Sequence, residues 1–133
     1  MSLIDQIKAR LSAYPTARFT ESPTSIEVLP EDSSGFSVGL EEKDGRVLVW
    51  FGGWHEHFDT ESEALDCFAF GLSDSCRLTV EYRGSTPTRW TVESVHDGKW
   101  VPDSSVGLLL VPFWRSKRVS HLQNRLIPRS GSG

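Results

Sequence analysis

The side chains best suited to chemistry lie in one short stretch, "WHEHFD" at 54–59, where His55 and His57 flank Glu56 and Asp59 follows. On a strand, residues two apart share a face, so both imidazoles could hold one ion, with Asp59 in the same parity while the strand stays regular. Glu56 and His96 are the other sources of a third ligand. Zinc is the cofactor such a set would take, and an enzyme or metal protein centred on His55, Glu56, His57 and Asp59 is the catalytic alternative. Two ligands do not make a site, however, and the helical zinc-protease pattern needs histidines four apart, which this stretch lacks. The plainer expectation is an exposed polar strand end beside Trp54 and Phe58, with no cofactor.

Other chemistries have weaker support. Cys67 is flanked by Ala64, Leu65, Phe68 and Phe70, the setting of a small buried hydrophobe rather than a thiolate nucleophile, and Cys76 has core parity on its strand. Nine positions apart, the two cysteines make no metal pattern, and in a reducing compartment they are expected to be free thiols. "GG" at 52–53 has no following Lys-Ser/Thr, no GxGxxG run exists, and no serine sits in a nucleophile elbow. Of the carboxylates near the histidines, Glu61 and Glu63 have an ordinary role at a helix start.

Charge is unevenly distributed. All 18 acidic residues lie in 1–103, with nine basic ones, whereas 104–133 holds five basic residues and no acidic one. The tail "FWRSKRVSHLQNRLIPR" interleaves cations with aromatic and aliphatic groups, a weak nucleic-acid signature; the acidic body argues against a polyanionic partner. No run nears the roughly 20 apolar residues that cross a bilayer, and the amino terminus reads as an amphipathic helix rather than as a basic, then apolar, leader. The expectation is a cytoplasmic protein without a membrane partner.

These groups must be held by local elements. Ser2 can cap a helix carrying Leu3, Ile4, Ile7, Leu11 and Tyr14 on one stripe, which Pro15 stops; 15–25 reads as a loop, and 25–29 as a strand. Asp44-Gly45 favours a two-residue type I′ hairpin that pairs Lys43 with Arg46, Leu40 with Val49 and Val38 with Phe51, and sets Trp50 over Gly39. The glycines 52–53 read as a bulge or bend; a bulge turns Trp54 and Phe58 inward and the histidines outward. Thr60 to Glu63 has the capping-box form, opening a helix over about 60–71 that Gly71 can stop. "CRLTVEYR" at 76–83 alternates as a strand, "RWTVESV" at 89–95 follows, and Asp97-Gly98 offers a hairpin pairing Val95 with Trp100. "VGLLLVPFW" at 106–114 reads as a strand covered on both sides, and Val119, Leu122, Leu126 and Ile127 as a weak C-terminal helix.

The expected fold is α+β, a mainly antiparallel sheet in the order α-β-β-β-α-β-β-β with that weak C-terminal helix, and helices on one face. Residues 1–128 form a single domain, and 129–133 a flexible tail. Five tryptophans exceed what one small core can centre, so an aromatic sheet surface is expected to bind a protein or peptide, with homodimerisation as one form of it. Its candidate residues are Leu48, Trp50, Trp54, His55, Glu56, His57, Trp100, Trp114 and Arg115. An immunity or inhibitor protein fits the same composition. In size, acidity and element order the chain is similar to small secretion-chaperone-like domains, a resemblance that implies a dimerising binding module and rests on no motif.

Overall fold

The computed structural model describes residues 2–128; the tail read as flexible, 129–133, lies outside them. The described chain is mixed helix and sheet, mostly sheet: two helices, a five-stranded and a four-stranded antiparallel sheet. Helix α1 spans Leu3–Leu11, with the Ser2 hydroxyl accepting from the Asp5 amide at 3.1 Å. Its buried residues Leu3, Ile4, Ile7 and Leu11 are four of the five expected on the stripe; the helix closes at Ser12 rather than at Pro15, which leaves Tyr14 outside it.

Strands β1 (Arg18–Glu21), β2 (Ser25–Leu29), β3 (Val38–Lys43), β4 (Arg46–Phe51) and β5 (Trp54–Phe58) pair in sequence order. The stretch 15–25, read as a loop, therefore contains a strand. Its turn formers make a tight reversal instead, in which the Ser22 hydroxyl accepts from the Thr24 and Ser25 amides at 3.3 and 3.1 Å and brings β1 back along β2. The Asp44-Gly45 hairpin has the expected register, including Gly39 opposite Trp50, and both turn residues take positive φ, 52° and 76°.

The glycines 52–53 are not a bulge. They form a two-residue turn, with Gly52 at φ 57°, and pair Phe51 directly with Trp54. A turn of even length has the same consequence for the side chains as the expected bulge: Trp54 is buried and Phe58 half-buried, while His55 and His57 are exposed.

Helix α2 spans Glu61–Leu72, capped by the Thr60 hydroxyl, which accepts from the Glu63 amide and donates to the Glu63 carboxylate at 2.8 Å. Gly71 does not end it. A Cβ there would strike the Phe51 ring, so this glycine lets α2 lie close on the sheet, and Ser73 closes the helix with its hydroxyl on the Phe70 carbonyl at 2.7 Å.

The second sheet has the order β8 (Lys99–Gly107), β7 (Thr86–His96), β6 (Cys76–Arg83), β9 (Lys117–Leu122). Two expectations fail here. The apolar run 106–114 leaves the sheet at Gly107 and continues as an exposed loop, because it has no strand to pair with and Pro112 has no amide to donate. The expected third helix is β9 followed by an irregular strap: the free edge of β6 takes Lys117–Leu122 in antiparallel pairing, and ladder hydrogen bonds override the helical spacing of Val119 and Leu122.

One cluster of buried apolar residues draws on both helices and both sheets, from Leu3 and Ile7 through Val38, Val49 and Phe51 to Phe68, Leu78 and Val92. The β4–β5 turn seats the first sheet on the second: a Cβ on Gly53 would enter the Trp90 ring, and one on Gly52 would press on Leu78. No helix among the described residues is long and apolar enough to cross a membrane.

Candidate binding surfaces

Alternation along β3–β5 sorts the candidate residues onto two faces. Val38, Leu40, Val47, Val49, Phe51 and Trp54 point into the core. The opposite face carries Gly39 and Glu41 on β3, Leu48 and Trp50 on β4, and His55 and His57 on β5. Trp50 lies flat over Gly39, its ring occupying the space of a Cβ, and its indole N–H donates to Glu27 Oε2 on β2 at 2.8 Å. Leu48 sits one pair along, between Glu41 and His57, and both apolar side chains are half-buried. This places Leu48, Trp50, His55 and His57 in one patch.

The remaining candidates are elsewhere. Trp54 is 3% exposed, stacks on Phe51 with centroids 4.8 Å apart, and donates its indole N–H to Ser104 Oγ on β8 at 3.1 Å. It is a bolt between the sheets and has no surface to offer. Glu56 shares the parity of Trp54 but is exposed at the rim. Trp100 lies on the second sheet beneath the Arg77 guanidinium, 4.8 Å from the ring centroid. Trp114 and Arg115 belong to the β8–β9 loop.

The metal reading is assembled only in part. His55 and His57 share a face as the spacing requires, but no hydrogen bond or ion pair among the described residues engages either imidazole. Asp59 is turned to Arg46, at 3.3 Å. No group of three or more His, Cys, Asp or Glu side chains converges among the described residues. The thiols are not poised as nucleophiles: burial, with Glu56 adding to it, pushes Cys67 up to about 12, and burial raises Cys76 as well.

A second polar cluster, not anticipated from the sequence, sits on the open side of the four-stranded sheet. Arg77 Nε bonds Glu93 Oε1 at 2.7 Å, the Thr79 hydroxyl donates to the same oxygen, and Thr79 meets His121 Nδ1 at 2.8 Å. Burial alone would raise the Glu93 carboxyl; the hydrogen bonds from Thr79 and Arg77 and the charges of Arg77 and His121 outweigh it and hold the group below its ordinary value. Its donors and acceptors satisfy one another, which is the pattern of a structural network. Glu27 was equally invisible, since no turn signal in the sequence fixes β2 against β3.

Comparison with protein-family models, curated proteins and solved structures returns no match. The element order on which the likeness to secretion-chaperone-like domains rests also differs from the observed one, with five strands before α2 and four after it.

Proposed function

We propose that the chain is a small non-catalytic binding or adaptor domain that takes a protein or peptide on the Trp50 face of the five-stranded sheet. The observation that carries this reading is the tethered indole: the bond to Glu27 and the seat on Gly39 fix the ring before any partner arrives. A fixed aromatic surface loses little entropy on binding, and Leu48 extends it into an apolar strip rimmed by Glu41, His55 and His57. On this reading both helices lie behind the sheet and leave this face free. The close seat of Gly71 on Phe51, and the Lys8–Glu21 ion pair of 3.0 Å joining α1 to β1, support that arrangement. Two free thiols fit a reducing compartment, the cytoplasm.

Selection of a random peptide library on the purified domain tests the proposal. Enriched peptides should share apolar residues and lose at least about tenfold in affinity on Trp50→Ala, the usual scale for a central aromatic contact. No enrichment, or enriched peptides indifferent to Trp50→Ala in a folded variant, would refute it.

A further inference from the structure

The loop between β8 and β9 exposes an unbroken apolar tip. Leu109 is 98% exposed, Leu110 86%, Phe113 75% and Trp114 72%, with Leu108 and Val111 also open. Isolated exposed apolar residues need no explanation, but six within seven positions do. The loop is held at both roots: the Leu108 amide donates to the Thr88 carbonyl at 2.8 Å, and the Gly84 amide to the Ser116 carbonyl at 2.8 Å. Between them, the Phe113 amide reaches the Val111 carbonyl at 2.8 Å and the Arg115 amide the Pro112 carbonyl at 3.0 Å, closing tight turns. Phe113 and Trp114 stack edge to face with centroids 5.6 Å apart.

Cations surround the roots. Arg115, Lys117 and Arg118 follow the tip, Arg83 donates to the Arg115 carbonyl at 3.5 Å, and no acidic residue occurs anywhere in 104–133. The acid on the neighbouring strand, Glu81, is already matched by two cations, Arg89 at 3.4 Å and Lys117 at 3.0 Å.

We infer that this loop docks the domain on an anionic lipid bilayer, with Leu109, Leu110, Phe113 and Trp114 entering the headgroup–acyl boundary and Arg83, Arg115 and Arg118 meeting lipid phosphates. An apolar tip alone would suit any greasy surface; the cations at its roots, with the neighbouring acid Glu81 already paired, select a negatively charged one. Tryptophan is the residue favoured at that boundary. Six apolar residues are far too few to cross, so the contact is peripheral. With the molecule as a whole at −4, attraction at the loop roots is opposed by the rest of the chain, so insertion of the tip adds to it. Both the tip and its cations therefore contribute. The Trp50 face takes no part, so this inference and the proposed function stand or fall separately.

Flotation of the full chain with phosphatidylcholine vesicles containing about one third phosphatidylserine, against phosphatidylcholine alone, is the test. Binding is expected to be roughly tenfold or more stronger to the anionic vesicles, to fall in high salt, and to be lost in Leu109→Ser/Leu110→Ser, whose side chains support nothing in the fold. Arg115→Glu should weaken anionic binding and leave the melting temperature unchanged. No binding to either vesicle, or binding indifferent to the double serine variant, would overturn the inference. So would a dimer by light scattering that the double variant turns into a monomer, which assigns the tip to a second copy of the chain.

Discussion

Glu93 is the residue on which the open side of the four-stranded sheet depends. Its carboxylate takes both the Arg77 guanidinium and the Thr79 hydroxyl, and its folded pKa is lowered. A lowered carboxyl pKa contributes stability that is present above the unfolded value, about 4.3, and is lost as pH falls through the folded one. Glu93→Gln is therefore expected to cost about 1 kcal/mol near pH 7, the scale of one charge-assisted bond at a partly open site, and clearly less near pH 3. Urea unfolding of both proteins at the two pH values checks this, and an equal cost at both would contradict the assignment. Legibility at this scale followed local signals. Trp50 over Gly39 could be read because the Asp44-Gly45 turn fixes that register; Glu27, which anchors the same indole, could not, because nothing local ties β2 to β3.

At the scale of elements, the two Asp-Gly hairpins, the amphipathic first helix and the capped second helix were all legible, each being set by residues within a few positions of one another. Elements set from far away were not. Strand β9 exists because β6 has a free edge, and the segment after it is a strap whose anchors are distant in sequence: Asn124 donates to the Phe36 and Gly71 carbonyls, both at 3.0 Å, and accepts from the Phe36 amide at 3.2 Å. Gln123 donates to the Asp74 carbonyl at 2.6 Å, and Ser73 bridges Ile127. Helical spacing in 119–127 thus carried no information about the partners that decide its form. Asn124→Ala, which leaves three backbone groups without their partner, is expected to destabilise by about 2 kcal/mol or more in chemical denaturation. A loss below about 0.5 kcal/mol would mean that the strap is held by its apolar side chains instead.

For the whole molecule, the surplus of aromatic residues that suggested one sheet surface is divided among three tasks. Trp54 and Trp90 join the two sheets, Trp50 and Trp100 face outward, one on each sheet, and Trp114 stands on the loop. Burial on both sides was the natural reading of 106–114, since a strand-length apolar run in a small domain is usually core. The absence of a bilayer-length segment speaks only to crossing, and left a peripheral contact unaddressed. An adaptor with a partner face on one sheet and a lipid-seeking tip beyond the other would join a protein to a membrane surface. The proposed partner face is the Trp50 side of the five-stranded sheet. Titrating a library-selected peptide into 15N-labelled protein and following amide and indole resonances tests it most directly. The account predicts that the Trp50 indole N–H and the amides of Gly39, Leu48, His55 and His57 shift together while 108–116 stays still; shifts confined to that loop or to the four-stranded sheet would contradict it.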